Sequence, residues 1–413
     1  MAVQAGLERG GTMMSRRMAS TRNALFLLAI LTFGRTCVSF QFQSVTPLTG
    51  YLREFLSFNA AGFGLLISLY TAPGALVSVI SPILARRYGS ARTLSAAFLC
   101  MAGGQLLLIV SPVIGIAYVA RVLAGLGGCV VYVLTIDVAA QRCEAGRMPA
   151  RMALIAASWP FGNALSLVAL GVMVDWHWAR AAAWASAVFA LVALVAIKVM
   201  LKKPNAPPDG VDDARAGGGS VRCSAPWRIS SLVGSDWWEG VKHAGVPGMA
   251  FALYNVSFIL FVSFTPTMLA ARGMTPLEAA NIASLPMWVF VFSVPLGGYL
   301  AGHWADGRKT LVVAGCLGGA VCMVVSQFLP HPALWYVAAG LFGGLPTGPM
   351  MASDDGAARG LFYPVFFFLS FFTLLVFPPI VGWMMEATGE VRMPIIFGVV
   401  MLMSGVLCFS RVH

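Results

Sequence analysis

Long runs of apolar residues, separated by short polar stretches, set the pattern of this chain from residue 24 almost to its end. A helix that crosses the hydrocarbon core of a bilayer needs about 20 mostly apolar residues at a rise of about 1.5 Å each. Runs of that order fall at 24–45, 62–84, 93–110, 114–133, 152–172 and 181–200, and again at 246–269, 281–302, 311–329, 333–351, 361–381 and 394–409. They predict an all-α chain of twelve membrane-spanning helices, six on either side of one polar stretch. The short alternating segments of a membrane β-barrel are missing from the pattern.

The pattern divides the chain into a tail at 1–23, a six-helix bundle at 24–201, a linker at 202–245 and a second six-helix bundle at 246–413. Pro204, Pro207, Pro208, Asp209, Asp212, Asp213 and the run Gly217 to Gly219 give the linker its character. Its later part, with Trp227, Arg228, Trp237, Trp238 and Lys242, reads equally well as a helix lying in the membrane interface or as a charged loop. The tail is polar and basic, and the run after it lacks a small-residue cleavage site, so an uncleaved first span is expected.

The halves also resemble each other. Residues 68–85 align without a gap on 284–301, and Arg92-Thr93-Leu94 follows the first copy as Lys309-Thr310-Leu311 follows the second. Ser44-Val45-Thr46-Pro47 likewise matches Ser263-Phe264-Thr265-Pro266. Repeated blocks of helical spans are a signature of secondary transporters.

Composition changes the picture only by excluding alternatives. With 59% hydrophobic and 10% charged residues and a mean hydropathy of +0.82, no water-soluble domain of this length fits. A formal charge of +11 would suit a nucleic-acid binder, but the basic residues lie in short loops. With the N-terminus inside, Arg16, Arg17, Arg22, Arg142, Arg147, Arg151, Lys202, Lys203, Arg308, Lys309, Arg359 and Arg411 fall on the cytoplasmic side, together with Arg86, Arg87 and Arg92. The opposite side keeps Arg53, Arg180, Arg272 and Arg392. This asymmetry predicts a bacterial inner-membrane protein with both termini cytoplasmic, and no nucleic acid is needed to explain the charge. Trp176, Trp178 and Trp184 then fall at the outer interface. The eight cysteines form no CxxC or Cys/His pattern and read as small core residues. No nucleotide loop, metal-ligand cluster or nucleophile–base set is found, so neither a cofactor nor catalysis is expected.

Three motifs carry a resemblance. Leu84-Ala85-Arg86-Arg87-Tyr88-Gly89, between the second and third spans, is similar to the loop Gly-x-Leu-Ala-Asp-Arg-x-Gly-Arg-Arg of the major facilitator superfamily, with Arg86 where that family has its acid. Gly298 to Lys309 is a degenerate second copy, and Arg121 to Gly127 resembles the family's Arg-x-x-x-Gly-x-Gly pattern. Phe40 to Ser44, Ser158-Trp159-Pro160, Phe362-Tyr363 and Pro378-Pro379 resemble the branch that contains cyanate and nitrate/nitrite-type porters. The resemblance implies the major facilitator fold, two six-helix pseudo-repeats around a central solute site.

Candidate chemistry rests on charges inside the spans. Arg35 lies eleven residues into the first run, roughly 16 Å from its start and near the bilayer midplane. An arginine there costs at least about 2.5 kcal/mol and should face a polar cavity or a partner. On a helical wheel Thr32, Ser39, Gln43 and Thr46 fall beside Arg35, which predicts a polar stripe along a solute cavity. Arg121, in the fourth span, reads either as a second solute contact or as a structural donor to loop carbonyls. The Ser-x-Thr-Pro correspondence places Tyr254 at the repeat position of Arg35, so Tyr254 and Asn255 are the candidates opposite. Asp137 reads either as a gate, paired with Arg86, Arg87 or Arg92, or as a proton carrier.

Two deep arginines without a deep acid point to a small inorganic or organic anion as the solute, carried by alternating access through a monomer with protons as a possible coupling ion. A proton-coupled drug or metabolite exporter and a transporter-like solute sensor are the alternatives.

Overall fold

The structure, a computed structural model, describes residues 26, 28–141, 148–201, 235–304, 307–351 and 359–411. Among these no strand occurs, and ten helices are long and apolar enough to cross a membrane. The first-half helices are α1 (28–43), α2 (Thr49–Leu56), α3 (Ala60–Thr71), α4 (Gly74–Tyr88), α5 (Ser90–Val110), α6 (Ile114–Gln141), α7 (Met148–Asp175) and α8 (Ala179–Leu201). The second half holds α9 (Ser235–Ala270), α10 (Pro276–His303), α11 (Arg308–Val325), α12 (Ala333–Gly344), α13 (Thr347–Met351), α14 (Arg359–Thr388) and α15 (Met393–Ser410).

All twelve expected spans find a helix, with differences at the boundaries. The second span is two helices, because Pro73 has no N–H to continue the ladder and α4 restarts at Gly74. The tenth is likewise broken, between Gly344 and Thr347 around Pro346. The seventh begins at Ser235 rather than 246, so the last residues assigned to the linker are helical and continuous with the span. Residues 202–234 lie outside the described residues. Between α4 and α5 the chain turns at Gly89, whose φ of +87° a side chain would resist.

The halves meet along a seam at one end of the molecule. A Cβ on Gly64 of α3 would stand 2.3 Å from the Pro378 carbonyl oxygen of α14, and one on Gly382 would stand 2.2 Å from the Ala60 carbonyl oxygen. Only glycine permits that approach. Phe63 meets Phe264 at 5.2 Å, and Phe161 of α7 meets Trp288 of α10 at 5.6 Å.

A carboxylate completes the seam. At the start of α10, Thr275 and Glu278 cap the helix reciprocally within one chain segment. The repeat-related start of α3 has Asn59 accepting from the Gly62 N–H, but glycine stands where α10 has its acid. Glu386 of α14 supplies it from the other half, accepting from Asn59 Nδ2 at 2.8 Å and from the Ala60 N–H at 2.5 Å. An anion suits the positive end of a helix.

Candidate functional site

On the far side of that seam the halves part around a cavity of about 690 Å³. On three helices the seam and the cavity occupy different stretches: Ala60–Gly64 and Thr71 on α3, Pro378–Glu386 and Phe367–Leu374 on α14, Phe264 and Phe251–Ile259 on α9; on α7 and α10 the Phe161–Trp288 contact adjoins the cavity-lining Trp159, Pro160, Met287 and Phe290. The cavity is within the usual size range of sites for drug-sized ligands.

Arg35 of α1 stands on its wall. The side chain is 4% exposed, its guanidinium carbon lies 3.8 Å from the centre of the Tyr132 ring, and its Nε has no hydrogen-bond partner. Every carboxylate whose side chain is described, on Glu54, Asp175, Glu278, Glu386 and Glu390, is exposed at a helix end. No described acid therefore neutralises Arg35. The contact with Tyr132 holds its orientation and leaves Nε free.

Aromatic rings make the rest of this wall. Trp159, Phe367 and Phe371 surround Tyr132 at 5.4, 6.0 and 6.4 Å, all near perpendicular to it. Asn163 fixes Trp159: in the amide orientation that satisfies both groups it accepts from Trp159 Nε1 at 3.2 Å and donates to the Ser39 carbonyl at 2.9 Å. On the opposite wall Phe251, Tyr254, Phe258 and Phe290 follow one another at 5.8, 5.1 and 5.1 Å.

The second-half candidates do reach the cavity. Tyr254 and Asn255 both line it, so the repeat correspondence brings Arg35 and Tyr254 to one space. Their polar atoms are engaged elsewhere. The Tyr254 hydroxyl donates to the Gly343 carbonyl at 2.5 Å and lies 2.9 Å from Thr347 Oγ1, bracing the break between α12 and α13. Asn255 Nδ2 donates to Ser370 Oγ at 3.0 Å.

Three first-half candidates, Arg121, Ser39 and Gln43, stand away from this cavity. Arg121 does not line this cavity; it is wholly buried, and its Nε, Nη1 and Nη2 donate to the carbonyls of Leu66, Gln41 and Phe42 at 2.7, 3.1 and 3.0 Å. The helical run of α1 ends at residue 43, which leaves the last carbonyls without intrahelical partners, and Arg121 caps them. Ser39 faces α7, donating to the Ser158 carbonyl at 3.2 Å; a Cβ on Gly162 would stand 2.1 Å from its hydroxyl. Gln43 donates to Thr46 Oγ1 at 2.9 Å within the turn that follows the helix. The expected polar stripe assumed a helix running through residue 46, and α1 stops short of that.

Arg87 and Arg92 of the candidate gate are exposed. The side chains of Arg86 and Asp137 lie outside the described residues, as does that of Tyr363. The sequence reading also missed the aromatic walls. The signal for them was the density of Phe366, Phe367, Phe368, Phe371 and Phe372 in one span.

The family profile of the Major Facilitator Superfamily matches residues 31–410. Two uncharacterized MFS-type transporters of Mycobacterium tuberculosis, one from strain CDC 1551 / Oshkosh and one from strain ATCC 25618 / H37Rv, are each 29% identical to this chain over 134 residues. That stretch is 32% of this chain and spans 28% of each relative's length. With a profile match from the first span to the last, on a multi-pass helical fold of two related halves, the chain belongs to the Major Facilitator Superfamily.

Proposed function

We propose that this protein is a secondary transporter that carries a small anion by alternating access between its halves, with both termini in the cytoplasm and the seam at the outer end. Arg35 is the observation that carries the reading: a buried cation on a cavity wall, with a free Nε and no described carboxylate beside it. A desolvated charge of that kind is costly unless something pairs with it, and an arriving anion is such a partner. The resemblance to cyanate and nitrate/nitrite-type porters is consistent with an anion.

In this reading α3 with α14 and α7 with α10 separate when the cavity opens outward, breaking the Glu386 contacts to Asn59 and Ala60. Arg86, Arg87, Arg92 and Asp137 close the opposite end in turn. The carrier works as a monomer. Uptake of labelled anions by proteoliposomes tests the proposal. Flux that requires Arg35, and that stops reversibly when Asn59→Cys and Glu386→Cys are oxidised to a disulfide, is the expected result. Binding without flux would make the protein a sensor, and flux indifferent to both changes would overturn the reading.

A further inference from the structure

We infer that the solute is an amphipathic organic monoanion, an apolar and preferably aromatic body carrying one carboxylate, rather than an inorganic oxyanion. The inference rests on Arg35 as the anion's partner and adds the rest of the molecule. Three features of the cavity lead to it.

The first is its size against its polarity. A nitrate or cyanate would meet Arg35 and leave most of the roughly 690 Å³ to water held against ring faces. On the order of 20 waters would fit that volume at about 30 Å³ each. Walls of this kind favour an apolar body that displaces such water.

The second is the state of the polar groups on the wall. Tyr254 is bound to Gly343 and Thr347, Asn255 to Ser370, and Thr71 Oγ1 donates to the Ser68 carbonyl at 2.9 Å. A sugar or other polyol needs many wall donors and acceptors and would have to break these contacts. A single carboxylate needs only the guanidinium, whose fork matches its two oxygens.

The third is charge. Arg35 is the one cation on the described wall, and no described carboxylate lies there to hold an ammonium group. One negative charge and no positive one is the complement. The ring that holds Arg35, Tyr132, is also the ring around which Trp159, Phe367 and Phe371 gather, so a carboxylate at Arg35 places its own body among them.

The test measures binding of 2-naphthoate, nitrate and the uncharged 2-naphthamide to purified protein, by quenching of tryptophan emission and by calorimetry. Wild-type protein, Arg35→Ala, Arg35→Lys and Phe371→Ala are compared at equal melting behaviour. Burial of a fused ring predicts 2-naphthoate binding on the order of 100-fold more tightly than nitrate. Phe371→Ala should weaken 2-naphthoate and leave nitrate unchanged. Loss of 2-naphthoate binding in Arg35→Ala, with partial retention in Arg35→Lys, is also expected. Nitrate binding that depends on Arg35, with no preference for 2-naphthoate, would overturn the amphipathic solute while leaving the anion reading standing. Equal affinity for 2-naphthamide and 2-naphthoate in wild type and Arg35→Ala would overturn both. Failure of wild-type protein to bind 2-naphthoate at all would also overturn the inference.

Discussion

Arg121 and Arg35 are both buried in the first half, and each lies over a tyrosine ring, at 4.5 and 3.8 Å respectively. Their surroundings differ in one respect. Arg121 gives three hydrogen bonds to backbone carbonyls and ties α6 to the end of α1 and to α3, whereas Arg35 keeps an unpartnered Nε on a cavity wall. A buried arginine whose donors are satisfied by backbone belongs to the architecture; one whose donors await a partner is available to a solute. Burial alone does not separate the two cases.

The comparison predicts opposite outcomes for two alanine variants, and this is the largest effect expected. Arg121→Ala removes three charge-assisted bonds to buried carbonyls, at a combined cost of at least about 3 kcal/mol. Folded, monodisperse protein should be lost from detergent extracts. Arg35→Ala removes a buried charge that no described carboxylate pairs, held by the Tyr132 ring, and should melt close to the wild-type temperature. Equal destabilisation of the two would erase the distinction.

A smaller effect sharpens the Arg35 side. Tyr132→Leu takes away the ring that orients the guanidinium, and anion affinity should fall about tenfold, while Tyr132→Phe should stay near wild type. Loss of affinity in the phenylalanine variant would mean that the hydroxyl, not the ring face, is what matters. The smallest effect belongs to Gln43. Gln43→Ala deletes a bond to Thr46 and should cost about 0.5–1.5 kcal/mol of stability with no change in anion affinity. A binding defect there would restore Gln43 to the solute site.

Much of this was readable in the sequence, for definite reasons. Apolar runs of about 20 residues leave few options to a chain, so the spans and the two-bundle plan were legible. Arg35 was legible because one charge in the middle of such a run demands an explanation. The breaks in the second and tenth spans were not, since Pro160, Pro247, Pro266, Pro286 and Pro295 sit inside helices that continue past them. Arg121 was ambiguous because its partners are carbonyls of distant helices, and a backbone group has no sequence signature. Gln43 stands away from the cavity because a helical wheel does not show where α1 ends, and Ser39 because the wheel does not show that its face packs on α7. The aromatic walls escaped because a phenylalanine in a span suits core, lipid and cavity alike.

Binding of anions to Arg35→Ala protein decides whether this guanidinium holds the solute. The measurement takes whichever of nitrate, cyanate, acetate and 2-naphthoate the wild type binds most tightly and titrates it against wild-type and Arg35→Ala protein of matched melting temperature. Loss of affinity of about 100-fold or more is the predicted result, as expected for a desolvated charge pair worth roughly 3 kcal/mol. Unchanged affinity in well-folded Arg35→Ala protein would remove Arg35 from the solute site.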